Sequence, residues 1–388
     1  MSVLSDDYVD EENSSQILSC FPPPFLQFLE TNDIDPNIYT IKSLPRYICL
    51  NTHFPSSQLP SPSDLSFQLS CTRIQKVPNF PHFFSLPSVT KIANSSAYKQ
   101  GKIFGIDLSS AIAIYSLDIH PNDHILDLCC APGAKLCLIS NILDNVGIGT
   151  ITGVDISKNR LSVCKNLCKK YKITKVRLFL EDGTKFNVLA PSYLEPIKKM
   201  IGQLHELHIN ENRLKNPEDK SDKITPFWTP KILRNDPQKR DSQYLYDKVI
   251  VDAECTHDGS ISHILKYEKY GWETFEKNFL NPDRLNSLWD LQRNLLRNGW
   301  SLLKPDGILV YSTCSLSKKQ NEDVIEWFLA NYKNARLETI PNIANLKTAP
   351  LKVNEYNNTD LFKLVRFDPI HSNTSGFFVA KIRKIKET

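Results

Sequence analysis

The chain has 388 residues, an ordinary apolar share of 41% and a net charge of +4. That length supports one large domain and a smaller one, and the composition argues against wholesale disorder. The small positive charge permits a nucleic-acid partner without demanding one, and no apolar run approaches the roughly 20 residues that span a bilayer.

Residues 1–15, MSVLSDDYVDEENSS, are acidic and lack both an apolar h-region and an Arg-rich pattern. They read as a solvated tail rather than a signal or transit peptide, so the expected compartment is reducing, nucleus or cytoplasm. Ten cysteines are scattered with no CxxC pair, which argues against a zinc site and against a secreted disulfide scaffold. Cys20, Cys49, Cys71, Cys137, Cys164 and Cys168 read as small buried filler. Residues 16–100 are proline-rich, with FPPPF (21–25), PSSQLPSPSD (55–64) and PNFPHFF (78–84), and RYICLN (46–51) reads as a short strand. A small irregular α+β module is expected there.

Residues 101–388 are expected to form a second domain, in which strands and helices alternate from about residue 107. The strands are HILDLCC (124–130), ITGVDI (151–156), VRLFLED (176–182), KVIVDAE (248–254) and GILVYSTC (307–314). Helical patterns cover 133–144, 157–171 and 286–302. This predicts an α/β fold, a doubly wound, mostly parallel Rossmann-like sheet that binds ligands at the carboxyl ends of its strands. Asp127, Asp155, Asp182, Asp252 and Cys314 all fall at such ends. Residues 190–246 break the alternation and read as a charged insertion, either a solvated excursion or a basic arm that touches nucleic acid.

DLCCAPGAK (127–135) follows the first of these strands and opens a helix whose free N–H groups suit a carboxylate or phosphate. Asp155 lies about 20 residues further on, where a doubly wound domain places an acid for ribose hydroxyls. Glu181-Asp182-Gly183 ends the third strand, and an acid there can accept from an adenine amino group. Neither GxGxxG nor GxxxxGK[ST] is present, so an adenosyl ligand is favoured over a dinucleotide or a nucleoside triphosphate. The bland alternatives are a helix N-cap for Asp155 and a turn residue for Asp182. Cys314 in YSTCSLSKKQNED and Cys255 in VDAECTHDGS follow neighbouring strands of the expected sheet. Each is a candidate reacting thiol or a space-filling side chain.

DLCCAPGAK, VDIS, EDG, VDAEC and LKPDGILVYSTCSLSKKQNEDVI occur in the order and spacing of the Nol/Nop/Sun RNA cytosine-5 methyltransferases, which the chain resembles over about residues 85–382. KIFGIDLSS (102–110) and GFFVAKI (376–382) extend the likeness, TCS between LKPDG and QNE is its most specific part, and PRYICLN (45–51) resembles a strand of the family's N-terminal RNA-binding module. The resemblance implies S-adenosyl-L-methionine as cofactor. Cys129, Cys130, Ala131, Pro132, Gly133, Ala134 and Lys135 would cradle its methionine moiety, Asp155 would take the ribose, and Asp182 with Gly183 the adenine. Arg160 joins this cofactor-binding group, and Lys135 would be an active-site cation. Asp252 would sit between cofactor and base, Cys314 would be the covalent nucleophile, and Cys255 would aid release. No metal is expected.

Thiolate chemistry fits such a reaction. Cytosine carbon 5 is a poor nucleophile until a thiolate adds to carbon 6, and sulfur is both strongly nucleophilic when ionised and a good leaving group. A carboxyl near ring nitrogen 3, the place expected for Asp252, relieves the charge that develops. Two departures stand out: Ala134 replaces a glycine, and Glu254 replaces the proline of Asp-Ala-Pro-Cys, with CTHDGS in place of small residues. Altered base positioning is expected from them.

The target base must be unpaired or flipped, with Lys42, Arg46, Lys91, Lys99 and Lys102 as candidate phosphate contacts. The absence of long basic tails favours transfer RNA over ribosomal RNA, and the chain is expected to be a monomer. Three rivals remain. An RNA-binding assembly factor with weak turnover is encouraged by Glu254. A methyltransferase acting on nitrogen or protein would carry Asn/Asp-Pro-Pro-aromatic after the fourth strand, and a DNA cytosine-5 methyltransferase would carry an attacking Pro-Cys there.

Overall fold

The structure is a computed structural model that describes residues 19–41, 43–143, 147–191, 224–234, 244–340, 346–356 and 358–386. The acidic tail, Lys42 and most of the 190–246 insertion lie outside these residues.

Proline starts helices in the first hundred residues rather than breaking them. α1 (Pro23–Thr31) and α2 (Pro62–Leu69) carry proline in the first turn, where its missing N–H costs nothing. α2 adds a capping box, with Ser61 and Asp64 each satisfying the other's backbone N–H. Four short strands follow one another as an antiparallel sheet in the order β2-β3-β1-β4. They are β1 (Arg46–Leu50), β2 (Gln75–Lys76), β3 (Phe83–Leu86) and β4 (Ile103–Gly105). One face, with Ile48, Phe84, Leu86 and Ile103, closes on Leu65 of α2. The other face, with Tyr47, Cys49, Phe83 and Phe104, joins the core of the large sheet. The small sheet therefore ends at Gly105, a little past the expected boundary at 100.

α3 (Leu108–Tyr115), capped by Asp107, leads into the large sheet. Its strands are β5 (His124–Asp127), β6 (Thr150–Asp155), β7 (Val176–Leu180), β8 (Tyr246–Asp252), β9 (Leu303–Thr313), β10 (Ala335–Glu338), β11 (Val365–Phe367) and β12 (Phe377–Lys384). They run in the order β10-β12-β9-β8-β5-β6-β7, with β11 also paired to β12. The first five pair in parallel, and β12 runs antiparallel to β9. This matches the expected doubly wound, mostly parallel sheet. Alternate residues of one strand enter different cores: Ile125, Ile250, Ile308 and Val310 on one face, Leu126, Val249, Val251 and Leu309 on the other. Burial on both faces explains why these strands read as continuous apolar runs.

Helices α4 (Ala134–Leu143), α5 (Lys158–Lys170), α6 (Pro282–Leu302) and α7 (Glu322–Asn331) connect the strands. α6 begins four residues before the expected start because Asn281 accepts from the Asp283 and Arg284 N–H groups and Pro282 takes the first helical position. In the described part of the insertion, Trp228 exchanges two backbone hydrogen bonds with Leu178 at the edge strand β7. No described helix is long and apolar enough to cross a membrane. Cys49, Cys137, Cys164 and Cys168 are buried as expected, but Cys20 is exposed and Cys71 half-buried, so filler does not describe those two.

Candidate active site

The chain leaves β5 toward β6 and β7, then returns to β8 and β9 on the other side of β5. This reversal opens a crevice at the carboxyl ends of the strands. A cavity of about 810 Å³ fills it, within the range of roughly 300–1,000 Å³ typical of small-ligand sites. Asp155, Asp182, Asp252 and Cys314 all line it, one from the end of each successive strand.

Cys129, Ala131, Lys135, Arg160 and Gly183 also line the cavity. Asp155 is held rigidly: its carboxylate accepts the N–H groups of Ala131 (3.3 Å) and Ser157 (2.8 Å). Arg160 donates to the Ala131 carbonyl at 2.6 Å and lies 3.6 Å from Asp155. The N-cap of α5 is Ser157, not Asp155. Asp182 accepts from both the backbone and the hydroxyl of Thr184, at 2.9 and 2.7 Å. Ile156, exposed at 72%, and Leu295 add apolar surface. Five carboxylates line the cavity (Asp107, Asp155, Asp182, Asp252, Glu254) against Lys135 and Arg160, with Arg284 paired to Glu254, so the lining is still net acidic. That balance suits a cationic sulfonium ligand and disfavours phosphates inside the cavity.

Four residues of the expected cradle do not line the cavity. Cys130 is buried, and its sulfur packs on Gly153. Pro132 is exposed. Gly133, at φ +110°, lies against Cys164 and Leu167 of α5, and Ala134 faces a separate small cavity beside Tyr171 and Phe104. Adjacent loop residues point to opposite sides, so the run 129–135 narrows to Cys129, Ala131 and Lys135.

At the other end of the cavity Lys135 donates to Asp252 Oδ2 at 2.7 Å, and the Ser312 hydroxyl donates to Oδ1 at 2.8 Å. Burial pulls the Lys135 ammonium down, but Asp252 and Asp127 outweigh it and hold the group above its usual value. Asp252 pairs with Ser312 in the β8–β9 register, which brings the segments beyond these strands together. The sulfurs of Cys255 and Cys314 are 3.4 Å apart, and His257 Nδ1 lies 2.8 Å from the Cys314 sulfur. The two thiols differ in ionisation. A hydrogen bond from Cys255, then one from His257 and its charge, outweigh burial and bring Cys314 down to about 6. Burial, followed by the contact with Cys314, pushes Cys255 well above the usual thiol range. Cys255, His257 and Cys314 thus place three donor atoms within 4.8 Å, although they show no zinc-like spacing in sequence. A closed structural zinc site takes four.

Sequence reasoning missed the clamp that holds the two cysteine loops. Buried Asp258 accepts from the hydroxyls of Thr256 and Ser315 and from the Leu316 N–H. Gly259 donates to the Cys314 carbonyl at 2.9 Å, and a Cβ there would come within 2.7 Å of that oxygen. Gln320 accepts from the Thr256 N–H and donates to the Thr256 hydroxyl, while Asn321 holds Thr313 and the Ser315 carbonyl. Gln320 and Asn321 of the QNE signature are therefore scaffolding for the two cysteine loops, while Glu322 pairs with Arg366. Glu254 pairs with Arg284 of α6, so its charge is compensated at the cavity mouth. Phe377 of β12 also lines the cavity, 5.1 Å beneath the Lys135 ammonium. Arg46, Lys91 and Lys99 are exposed and Lys102 is half-buried, all on or beside the small sheet.

Asp127 lies behind this floor, 1% exposed, and its carboxylate accepts the Cys129 N–H. Burial first, then Asp252, raise it to about 7, against about 3.9 in an unfolded chain. The folded state thus holds the proton longer, and stability is lost as pH rises from about 4 to 7. Asp127→Asn keeps an acceptor for Cys129 and removes this loss. The variant is expected to exceed the parent by up to about 4 kcal/mol in urea unfolding at pH 8, with the gap narrowing to about 1 kcal/mol near pH 4.5. A difference independent of pH would contradict the assignment.

The family model described as "16S rRNA methyltransferase RsmB/F" matches residues 114–197 and 190–383, well over half of the chain. The chain belongs to this RsmB/F family. A probable ribosomal RNA small subunit methyltransferase B of Bacillus subtilis is 24% identical over 295 residues, which is 76% of this chain and 50% of that protein. The human tRNA (cytosine(72)-C(5))-methyltransferase NSUN6 is 24% identical over 310 residues, 74% of this chain and 54% of that one. This RsmB/F chain therefore spans about half the length of these two relatives. The crystal structure of NSun6 from Pyrococcus horikoshii with SFG superposes with a TM-score of 0.63 at 18% identity, covering 95% of this chain and 100% of that one. The likeness confirms the methyltransferase fold.

Proposed function

We propose that the chain is an S-adenosyl-L-methionine-dependent RNA (cytosine-5)-methyltransferase working through a covalent bond from Cys314 to carbon 6 of cytosine. Transfer RNA is the first expected substrate and ribosomal RNA the second; relatives are named for each. The observation that carries this is a pair of thiols 3.4 Å apart at the end of an adenosyl-sized cavity, the cavity-lining one also 2.8 Å from His257 Nδ1.

The cavity suits the cofactor chemically. Asp155 and Asp182 offer acceptors for ribose hydroxyls and an adenine amino group, Ile156 and Leu295 offer apolar surface, and the acidic lining favours a cation. SFG, bound in the Pyrococcus structure, is an adenosylmethionine analogue. When bound, the cofactor supplies an electrophilic methyl group. Cys314 adds to carbon 6, which makes carbon 5 electron-rich enough to take that methyl. Asp252, held by hydrogen bonds from Lys135 and Ser312, faces ring nitrogen 3 and accepts a hydrogen bond from the proton that this nitrogen takes from solvent on attack and returns on release. Loss of the carbon-5 proton then restores the double bond and expels the Cys314 sulfur, with Cys255 donating toward the leaving thiolate. The acidic cavity leaves RNA phosphates at the rim, so the base enters flipped from its stack.

Bisulfite mapping of cellular RNA with and without the protein tests this reading. One or more cytosines are expected to lose protection when the protein is absent. Unchanged protection everywhere, with the cofactor still bound, would favour an RNA-binding assembly factor.

A further inference from the structure

His257 is not explained by the proposed chemistry. It lies in the loop after β8, where the family resemblance leads one to expect small residues, and its backbone sits at φ +54°, a left-handed conformation unusual for a residue with a side chain. Strain of this kind, at a site that already holds two thiols, needs a compensating role. The loop is fixed there by Asp258 and Gly259, so the imidazole is aimed rather than loose. Its Nδ1 lies 2.8 Å from the Cys314 sulfur and 3.8 Å from that of Cys255. The far side of the ring packs edge-on against His263, 5.6 Å away.

We propose that His257 is a catalytic proton relay for Cys314, taking the thiol proton before attack and returning it to the same sulfur on release. This rests on the reading of Cys314 as nucleophile. The step is balanced without a further reactant. The S–H bond breaks toward Nδ1, leaving an imidazolium beside a thiolate, and the sulfur lone pair forms the bond to carbon 6. When the carbon-5 proton leaves to solvent, the S–C6 electrons return to sulfur and Nδ1 gives its proton back. His257 ends each turnover as it began, and the proton released overall is the one from carbon 5.

The surrounding charges favour this pairing. Asp258 and Glu254 on the same loop stabilise an imidazolium, and the contact with Cys314 raises the His257 titration first of all. From other elements, Asp252 of β8 opposes a thiolate, the Cys255 thiol donates to it, and Lys135 of α4 neutralises Asp252. His263 disfavours charge on its neighbour and is itself lowered by burial, then by His257. The sequence carried the signal as a departure, since CTHD stands where small residues were expected.

The test is His257→Gly, which removes the imidazole while suiting the left-handed backbone, so the fold should hold. Alkylation of Cys314 by iodoacetamide, followed by peptide mass mapping from pH 5 to 9, needs neither RNA nor cofactor. The parent is expected to react with a limb rising near pH 6. In His257→Gly the limb should move up by about one unit or more, with at least a roughly threefold slower reaction at pH 6.5. Added imidazole should restore part of it. Methyl transfer should fall on the order of 10²-fold at pH 7 and less at pH 9. An unchanged alkylation profile overturns the relay while leaving the nucleophile in place. Methyl transfer surviving in Cys314→Ala overturns both.

Discussion

Cys314→Ala is expected to abolish methyl transfer, on the order of 10⁴-fold or more, whereas Cys255→Ala should accumulate a protein–RNA complex that survives denaturation. The two sulfurs share one small space yet are not interchangeable. Cys314 lines the cavity and is drawn toward thiolate by Cys255 and His257. Cys255 is buried beneath it and held as a thiol. Attack on a ring needs the accessible, ionised sulfur. Expulsion of that sulfur needs something to stabilise the charge returning to it, which the neighbouring thiol can do by donation. Removing Cys255 also removes the main influence lowering Cys314, so adduct formation in Cys255→Ala should be slower at neutral pH and recover above it. Labelled RNA on a denaturing gel separates the cases. Equal adducts from both variants would reverse the assignment.

Asp258→Ala is expected to cost roughly 3–5 kcal/mol and most of the activity. The carboxylate is buried and satisfies two hydroxyls and one backbone N–H. Each buried donor left without a partner costs about 1–3 kcal/mol, with less than full additivity for neighbours. These partners lie on both cysteine loops, so the loss falls on the geometry that keeps the sulfurs 3.4 Å apart. Asp258→Asn keeps one acceptor oxygen but points an amide N–H at a donor, and an intermediate cost is expected. Urea unfolding gives the stability. Cys314 alkylation gives the local effect, since a loosened clamp should narrow the difference in reactivity between Cys314 and Cys255. A destabilised variant with the parental difference would show that Asp258 serves the fold alone.

The central strands were legible because a parallel strand covered on both faces is written as an unbroken apolar run, as in KVIVDAE and GILVYSTC. Their carboxyl ends then marked the crevice, and four of the five residues singled out there line one cavity. The fifth, Asp127, sits at its strand end but turns inward to cap Cys129. β2 and β10 left no pattern to read, being two and four residues long and partly polar. Phe377 reaches the cavity only because β12 pairs with β9 from the far end of the chain. His257 and Asp258 stood out only as part of the CTHDGS departure, with no sign of their role, for their work is done across 57 and 58 residues of sequence. Cys129 and Cys130 are neighbours on opposite sides of one loop, a distinction set by tertiary packing rather than by local sequence.

The most direct measurement is to trap the reaction with RNA carrying 5-fluorocytosine at the target position, where fluorine blocks release, and to map the modified peptide by mass spectrometry. The nucleotide is expected on Cys314. Attachment at Cys255, or efficient methyl transfer with no trapped peptide at all, would contradict a covalent role for Cys314.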